Sequence, residues 1–388
     1  MKDVPIISAI TNHAPSSSGA ELTFELSAST SDPPWDNLLG SFPGSHFEQT
    51  SGWGAVRARY GWEVVRILAK QGSGPVGGIQ ALTRRIGRLG TIGYVSRGPV
   101  SPADVEVQKR LVEAMERIAK KERWLYCVFD YPYNAHELAQ WMAGRGYIAH
   151  PGGIPPSGLL AATALLDLRP SEDDILGRMT TNARRDVRKG QRSGLTFTEG
   201  TRADLPRFRD LMLATCARRN AAPTPPQKDY FEHLWAELNS EGRARLFLVR
   251  YGDEIISAAF AFTVSDTIRV WKVGWSGAHS EKEPNRWMWW EIMKWAKARG
   301  FITLDFVWVD TEDARSIAAG KTSSRDFRDG TTFFKLGFGG SLYFPPPVQS
   351  KFFHPLARVA YCCGGAQLLA SKSFRRVLAR YWSRLASN

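Results

Sequence analysis

The chain has few of the residues that build common metal and redox sites. Its four cysteines, Cys127, Cys216, Cys362 and Cys363, lie far apart or side by side, which excludes a disulfide framework and the Cys-x-x-Cys spacing of a zinc site. Its seven histidines form no His-Glu-x-x-His and no other close pair, so no metal is expected. Long apolar runs are also missing. None reaches the roughly 18 residues that cross a bilayer, and Met1 to Ala20 carries Ser and Thr where a secretory signal would be apolar. A cytoplasmic, reducing location is the expectation. Acids are in deficit, with 38 Asp and Glu against 51 Lys and Arg, a net charge of +13. At 43% hydrophobic residues the chain is nevertheless not disordered as a whole, since disorder needs low hydrophobicity together with charge. At about 150 residues per domain, 388 residues suggest two.

The positive excess is concentrated. From Lys351 to Asn388 the chain carries Lys351, Arg358, Lys372, Arg375, Arg376, Arg380 and Arg384 and no acid. A second run, Arg184, Arg185, Arg188, Lys189 and Arg192, recurs mid-chain at helical spacing. Such cation density suits phosphate on nucleic acid, on a nucleotide-linked substrate or on an anionic membrane; a solvated helix face is the equal alternative. In the tail, Phe374, Val377, Leu378, Tyr381 and Leu385 follow helical spacing beside the arginines, an interfacial pattern that packing onto the first domain would satisfy as well.

Residues 1–33 lack a sustained period and read as a flexible segment. Val64–Ala69 and Val76–Leu82 flank the turn-forming Gly72–Pro75 and predict a hairpin. A helix over 103–122 leads into a strand at 124–129, and a helix holding Leu138, Trp141 and Met142 stops at Gly146. The Pro/Gly-rich stretch 151–156 divides the chain. Beyond it, strands at 162–168, 244–250, 255–263, 267–275, 303–308 and 331–338 alternate with helices entered near 170 and around Phe208, and over 227–239 and 285–299.

Two familiar chemistries fail on spacing. Gly320-Lys321-Thr322 lacks the earlier glycine of a phosphate loop, since Arg315 stands there. Gly274-Trp275-Ser276-Gly277-Ala278 lacks the last glycine of a nucleophile elbow. Phe333–Gly340 is more informative. Read as a strand, it puts Phe333, Lys335 and Gly337 on one face and Phe334, Leu336 and Phe338 on the other, so the Lys335 ammonium is set among aromatics and the glycines allow close backbone approach. A desolvated lysine held this way is a positive point for an oxyanion; a lysine snorkelling from a strand edge fits the same pattern. Gln49–Gly61, with Trp53 and Arg57, and Tyr94–Val100 join aromatics to arginine and glycine, as ligand clefts and exposed turns both do.

In order, Gln49–Arg57, Tyr94–Val100, Thr163–Leu168 followed by Arg184–Lys189, Thr215–Arg218, Asn285–Gly300 with Asp305, and Phe334–Gly340 resemble the FemABX family, the aminoacyl-tRNA-dependent transferases that build the peptide bridges of bacterial peptidoglycan. The similarity runs from about Gly44 to Pro347. It implies an α/β (α+β) fold of two GNAT-like domains, 34–156 and 157–340, each a mixed, mostly antiparallel sheet flanked by helices. It also implies that the end of the chain, 341–388, returns to the first domain, and the tail's own pattern predicts a basic amphipathic helix there. With no coiled-coil insertion, the chain resembles the compact members.

The resemblance implies a monomer that uses aminoacyl-tRNA as co-substrate and no cofactor, with a UDP-linked or lipid-linked muropeptide as acceptor. Lys335 matches the lysine near the reacting ester, and Asp130 falls near a carboxylate proposed as base. Arg57 and Arg218 match residues that grip a diphosphate, Trp53, Tyr94 and Phe334 fall in substrate-binding segments, and Arg184, Arg185, Arg188, Lys189 and Arg192 form the tRNA-facing helix. An aminoacyl ester is already activated, so a neutral amine attacks it without a covalent nucleophile. The basic tail exceeds what compact members carry and adds the anionic inner face of the membrane as a partner. Three rivals stand beside this reading: a small peptide or amine metabolite as acceptor, a non-catalytic membrane adaptor, and an acyl-CoA donor. Against the last, the loop Ser276–Pro284 offers Gly277 alone where a pyrophosphate needs several backbone donors.

Overall fold

In the computed structural model, which describes residues 21–27, 29–72, 74–101, 104–149, 161–321 and 330–365, the chain forms two compact units. Residues 162–343 belong to one; the described residues within 21–161 and 344–365 make the other. The first unit's sheet comprises Leu22–Ser27 (β1), Glu63–Gln71 (β2), Gly74–Ile86 (β3), Gly90–Ser96 (β4), Trp124–Asp130 (β5), Ile148–Ala149 (β6) and, from near the other end of the sequence, Gln349–Phe352 (β14). The strand order is β1-β2-β3-β4-β5-β14-β6, antiparallel except for the parallel pair β4 and β5.

Four helices accompany that sheet: Pro33–Ser41 (α1), Ser51–Ala58 (α2), Val105–Lys121 (α3) and His136–Gly144 (α4). A parallel pair requires a crossover, and α3 supplies it. Asp104 caps α3 by accepting from the N–H groups of Glu106 and Val107. The 3–4 spacing of Val107, Leu111, Ala114 and Met115 puts one face into the core against Ile67, Ile79 and Phe129, a stripe of the kind that gives a short helix its stability in water.

The second unit repeats the scheme. Thr163–Asp167 (β7), Leu195–Glu199 (β8), Ala244–Tyr251 (β9), Glu254–Val264 (β10), Thr267–Trp275 (β11), Thr303–Asp305 (β12) and Ser341–Tyr343 (β13) lie in the order β13-β7-β12-β11-β10-β9-β8. Again one neighbouring pair, β11 and β12, is parallel. Read from the β1 edge or from the β8 edge, each sheet has three antiparallel pairings, one parallel, then two antiparallel. The strand after the parallel pair differs in origin: β14 arrives late in the chain, whereas β7 opens its unit.

Helices Glu172–Arg178 (α5), Thr181–Gln191 (α6), Leu205–Arg218 (α7), Tyr230–Leu238 (α8), Pro284–Ala298 (α9), Thr311–Ala318 (α10) and Thr331–Leu336 (α11) flank this sheet, and Pro355–Ala360 (α12) follows β14. The crossover helix α9 buries Trp287, Met288, Trp289, Trp290, Ile292 and Trp295. Both units are the mixed, mostly antiparallel sheets with flanking helices that the family resemblance implies, and no coiled-coil arm occurs among the described residues.

The structure differs from the sequence reading in four places. Residues 22–27, inside the segment read as flexible, form β1: Leu22, Phe24 and Leu26 alternate, and Glu25 pairs with Lys70 on β2. Residues 331–338 are not a strand. They form α11 and a glycine turn, because Phe334 N–H and Gly337 N–H return to the carbonyls of Gly330 and Phe333, and an alternation this short fits either period. The strand expected over 303–308 ends at Asp305, since Val307 takes a φ of 68°, outside the extended region. The unit limits fall after residues 161 and 343 rather than after 156 and 340. The Pro/Gly stretch 151–156 and the basic helix expected near the C-terminus lie outside the described residues.

Candidate functional site

Lys335 lies in the last turn of α11, and its ammonium donates to the carbonyls of Phe306 (2.7 Å) and Trp308. These carbonyls flank Val307, a β-branched residue in the left-handed region where it is strained. Asp305, fully buried, holds the other side of the turn. Its Oδ1 accepts from Val307 N–H (2.7 Å) and from the Thr163 hydroxyl (2.6 Å), and its Oδ2 lies 3.6 Å from Arg269 Nε. Residues 305–308 are thus cinched between a carboxylate and an ammonium. An ammonium has three donors; two go to carbonyls and one has no partner among the described residues. Burial pushes the Lys335 pKa down to about 7, against the opposing pull of Asp305, with Arg219 and Lys272 adding to the decrease.

The turn after Lys335 is fixed from beneath. Arg286 of α9 donates to the Phe334 carbonyl (2.7 Å) and stacks over the Phe334 ring at 4.0 Å and the Phe338 ring at 5.1 Å. Thr180 N–H donates to the Gly337 carbonyl (2.9 Å). Gly339 has a φ of 84°, and a Cβ there would lie 2.8 Å from the Arg178 carbonyl oxygen, so this position admits glycine alone.

In the first unit, Asp130 ends β5 and is fully buried. Arg97 Nε lies 3.3 Å from its Oδ2, yet neither carboxylate oxygen accepts a hydrogen bond among the described residues. Burial raises the Asp130 pKa to about 7; Arg97 opposes the shift and Glu48 adds to it. Arg97 stacks on Tyr133 at 4.9 Å and lines a cavity of about 300 Å³ with Ser45, Gln108, Asn134 and Glu137. The Ser45 hydroxyl is buried and has no hydrogen-bond partner among the described residues. Tyr94 donates to Ser96 Oγ (3.2 Å), which in turn donates to Glu48.

Arg57, in the last turn of α2, stacks on Trp62 (5.2 Å) and Trp53 (5.9 Å). Gln49 is structural: its Nε2 donates to the carbonyls of Gln80 (3.1 Å) and Ser96, and its Oε1 accepts from Gln80 N–H (2.8 Å), fixing the start of α2 to the sheet. Arg218, in the last turn of α7, donates to the Trp275 carbonyl and stacks over its ring at 4.8 Å. On α6, Ala183, Val187 and Gly190 face inward while Arg185, Arg188, Lys189 and Arg192 are exposed and Arg184 is half-buried. Asp186 neutralises Arg185.

Comparison with known proteins adds three findings. A family model described as an acetyltransferase (GNAT) domain matches residues 177–315. The lipid II:glycine glycyltransferase of Staphylococcus aureus strain COL is 25% identical over 224 residues, 55% of this chain and 52% of that protein, and its counterpart in strain USA300 matches to the same extent. The chain therefore spans about half the length of the curated relatives it matches. The crystal structure of FemX superposes with a TM-score of 0.73 at 18% identity, over 88% of this chain and 99% of that one.

The chain shares the fold of FemX and is similar in sequence to the lipid II:glycine glycyltransferases. Of the residues singled out from the segments that carry the resemblance, the structure brings together Lys335 with Phe334 and Arg57 with Trp53, and links Tyr94 through Ser96 to Glu48. It keeps Arg57 on one unit and Arg218 on the other. Sequence reasoning missed Thr163, Asp305, Val307 and Arg286 as the supports of Lys335, and Arg97 as the partner of Asp130. A strained valine leaves no local signal. Asp305 did, since it ends an apolar strand as Asp130 does.

Proposed function

We propose that the chain is an aminoacyltransferase that moves an amino acid from aminoacyl-tRNA to an amine of a peptidoglycan precursor. The observation that carries this reading is Lys335: an ammonium oriented by two backbone carbonyls, with one donor uncommitted among the described residues, on a turn braced by a buried carboxylate. In the reaction the acceptor amine attacks the ester carbonyl. The C–N bond forms as the C–O bond to the ribose breaks, and the surplus amine proton leaves to base while the ribose oxygen takes one up. The negative charge on the carbonyl oxygen peaks in between, and a preorganised donor there is worth about 3 kcal/mol. Alignment of amine and ester lowers the barrier further, and no covalent nucleophile is needed. Asp130 is assigned as base, Arg57 and Arg218 as contacts to an acceptor diphosphate, Trp53, Tyr94 and Phe334 as substrate-binding residues, and the outer face of α6 as the RNA contact. The S. aureus relatives, by name, act on lipid II, which favours a lipid-linked or UDP-linked muropeptide as acceptor over a small metabolite.

The acetyltransferase match keeps an acyl-CoA donor as the second reading. Glu281 and Glu283 precede α9, and carboxylates there repel the pyrophosphate that a helix N-terminus would otherwise attract. Purified protein incubated with charged tRNA, acetyl-CoA and candidate amines separates the two. Consumption of charged tRNA that is abolished by ribonuclease is expected; ribonuclease-resistant consumption of the thioester overturns the proposal.

A further inference from the structure

Trp308 stands beside Lys335 with its ring uncovered. It is 44% exposed, and among the described residues its ring meets no other aromatic side chain, only the Lys335 ammonium 5.9 Å from its centroid. A single exposed apolar side chain is ordinary on a protein surface, but this one is held in place. Its N–H donates to the Phe306 carbonyl (2.9 Å) across Val307, and its own carbonyl accepts from Lys335, so the backbone that carries the ring is tied on both sides. Two further cations converge on Lys335. β11 and β12 pair only as far as Arg269 and Asp305; beyond that point β11 runs on to Lys272, while the chain after β12 turns through Val307 to Trp308. Lys272 is half-buried, with its ammonium 4.9 Å from the Trp271 ring. Just past α7, exposed Arg219 donates to the Thr331 hydroxyl (2.9 Å), and Thr331 lies one turn before Lys335 on the same face of α11. Both cations repel the Lys335 ammonium, so both lie within electrostatic reach of it. Among the described residues neither has a carboxylate at ion-pair distance, and an anion between them would relieve the repulsion.

We propose that Trp308, Lys272 and Arg219 form a site for the terminal nucleotide of the donor RNA, with the base stacked on the Trp308 ring and the phosphate held by Lys272 and Arg219. This rests on the aminoacyl-tRNA reading above and adds the residues that recognise the nucleotide bearing the ester. An uncovered aromatic ring beside unneutralised cations is the chemistry that takes a base and its phosphate. Three nucleotides could supply them, and their distance from the reacting atoms separates them. In acyl-CoA the adenine lies beyond a diphosphate and a pantetheine arm from the thioester. In a UDP-linked precursor the uridine lies beyond a diphosphate, a sugar and a peptide from the amine. Only an ester on a ribose carries a base and a phosphate next to the carbonyl that Lys335 would polarise. Stacking accepts any base, so the site senses the presence of a terminal base rather than its identity.

The test uses the full-length chain and two RNA microhelices ending in ACCA, each carrying glycine on the last ribose through a stable 3′-amide, one intact and one with its terminal base removed. Binding is read by fluorescence anisotropy of a label at the other end. Wild type is expected to prefer the intact RNA about tenfold. Trp308→Ala, at an exposed position, keeps the wild-type melting temperature and binds both RNAs as wild type binds the abasic one, and Trp308→Phe restores most of the preference. Lys272→Gln with Arg219→Gln weakens both RNAs about tenfold and makes the salt dependence shallower. Equal binding of the two RNAs by wild type, binding of neither, or a preference that survives in Trp308→Ala overturns the proposal. So does uridine diphosphate or CoA that displaces RNA from wild type and not from Trp308→Ala, which gives the ring to the acceptor nucleotide or to an acyl-CoA. Wild type that transfers from charged tRNA yet treats both ends alike sinks the nucleotide site and leaves the donor reading standing, whereas ribonuclease-resistant consumption of the thioester sinks both.

Discussion

Burial, one carboxylate and two neighbouring cations set the charge on Lys335. Burial strips water from the ammonium and takes its pKa from 10.5 down to about 7, and the opposing pull of Asp305 is the smaller of the two. Between those values the unfolded chain binds more protons than the folded one, so this lysine's contribution to stability rises with pH from about 7 to 10.5 and is lost as pH falls back through that window. Wild type should therefore gain stability relative to Lys335→Met between pH 7 and pH 10 in urea titrations; a constant difference would mean that the lysine keeps its ordinary pKa. Transfer should follow a bell centred near neutrality, limited on the alkaline side by loss of the Lys335 proton and on the acid side by protonation of Asp130. Lys335→Arg, which stays charged, should remove the alkaline limb from a kcat/KM profile, and Asp130→Asn the acid limb. An alkaline limb that survives in the arginine variant assigns that ionisation elsewhere. Lys335 was visible in its Phe-Phe-Lys-Leu-Gly context. Its supports were not, because Thr163 and Asp305 meet across 142 residues of sequence.

At the scale of single elements, α6 shows how a helix is both placed and left free. Ala183, Val187 and Gly190 are buried on one face, and the cations whose helical spacing the sequence shows occupy the other. Alanine is worth about 1 kcal/mol more than glycine in a helix interior, but a Cβ at Gly190 would lie 2.5 Å from Trp287 Cβ on α9. Overpacking costs about 1–3 kcal/mol and wins, so Gly190→Ala should lower the unfolding free energy by about 1 kcal/mol in chemical denaturation. On the outer face, Arg188→Glu with Lys189→Glu should leave melting unchanged and weaken charged-tRNA binding about tenfold, with a shallower salt dependence. Unaltered binding would remove α6 from the RNA contact. By contrast α11 was misread, since six residues offer too few turns to tell a period of 2 from 3.6, and what decides the conformation is Arg286 gripping the Phe334 carbonyl from another helix.

At the scale of the whole chain, the first unit is completed by a strand that the sequence places last. β14 lies between β5 and β6, and buried Gln349 accepts from the Tyr131 hydroxyl (2.7 Å) and donates to the Ala139 carbonyl (3.2 Å). Removing residues 348–388 strips the β5 edge of its ladder partners and leaves buried polar groups unpaired. That truncation should unfold the first unit selectively, seen as rapid hydrogen exchange over β4 and β5 with protection retained over β9–β11. Removing only residues 366–388 should keep both units protected.

Hydrophobic period, helix caps and turn residues act over a few neighbouring positions, so most strands and helices of both units, their cationic face and the family resemblance could be read from the order of residues alone. The pairing of β14 with β5, the helical state of residues 331–336 and the cinched turn that orients Lys335 could not. Each depends on groups tens to hundreds of residues apart, whose meeting is settled by which buried polar atoms find partners once the sheets have closed.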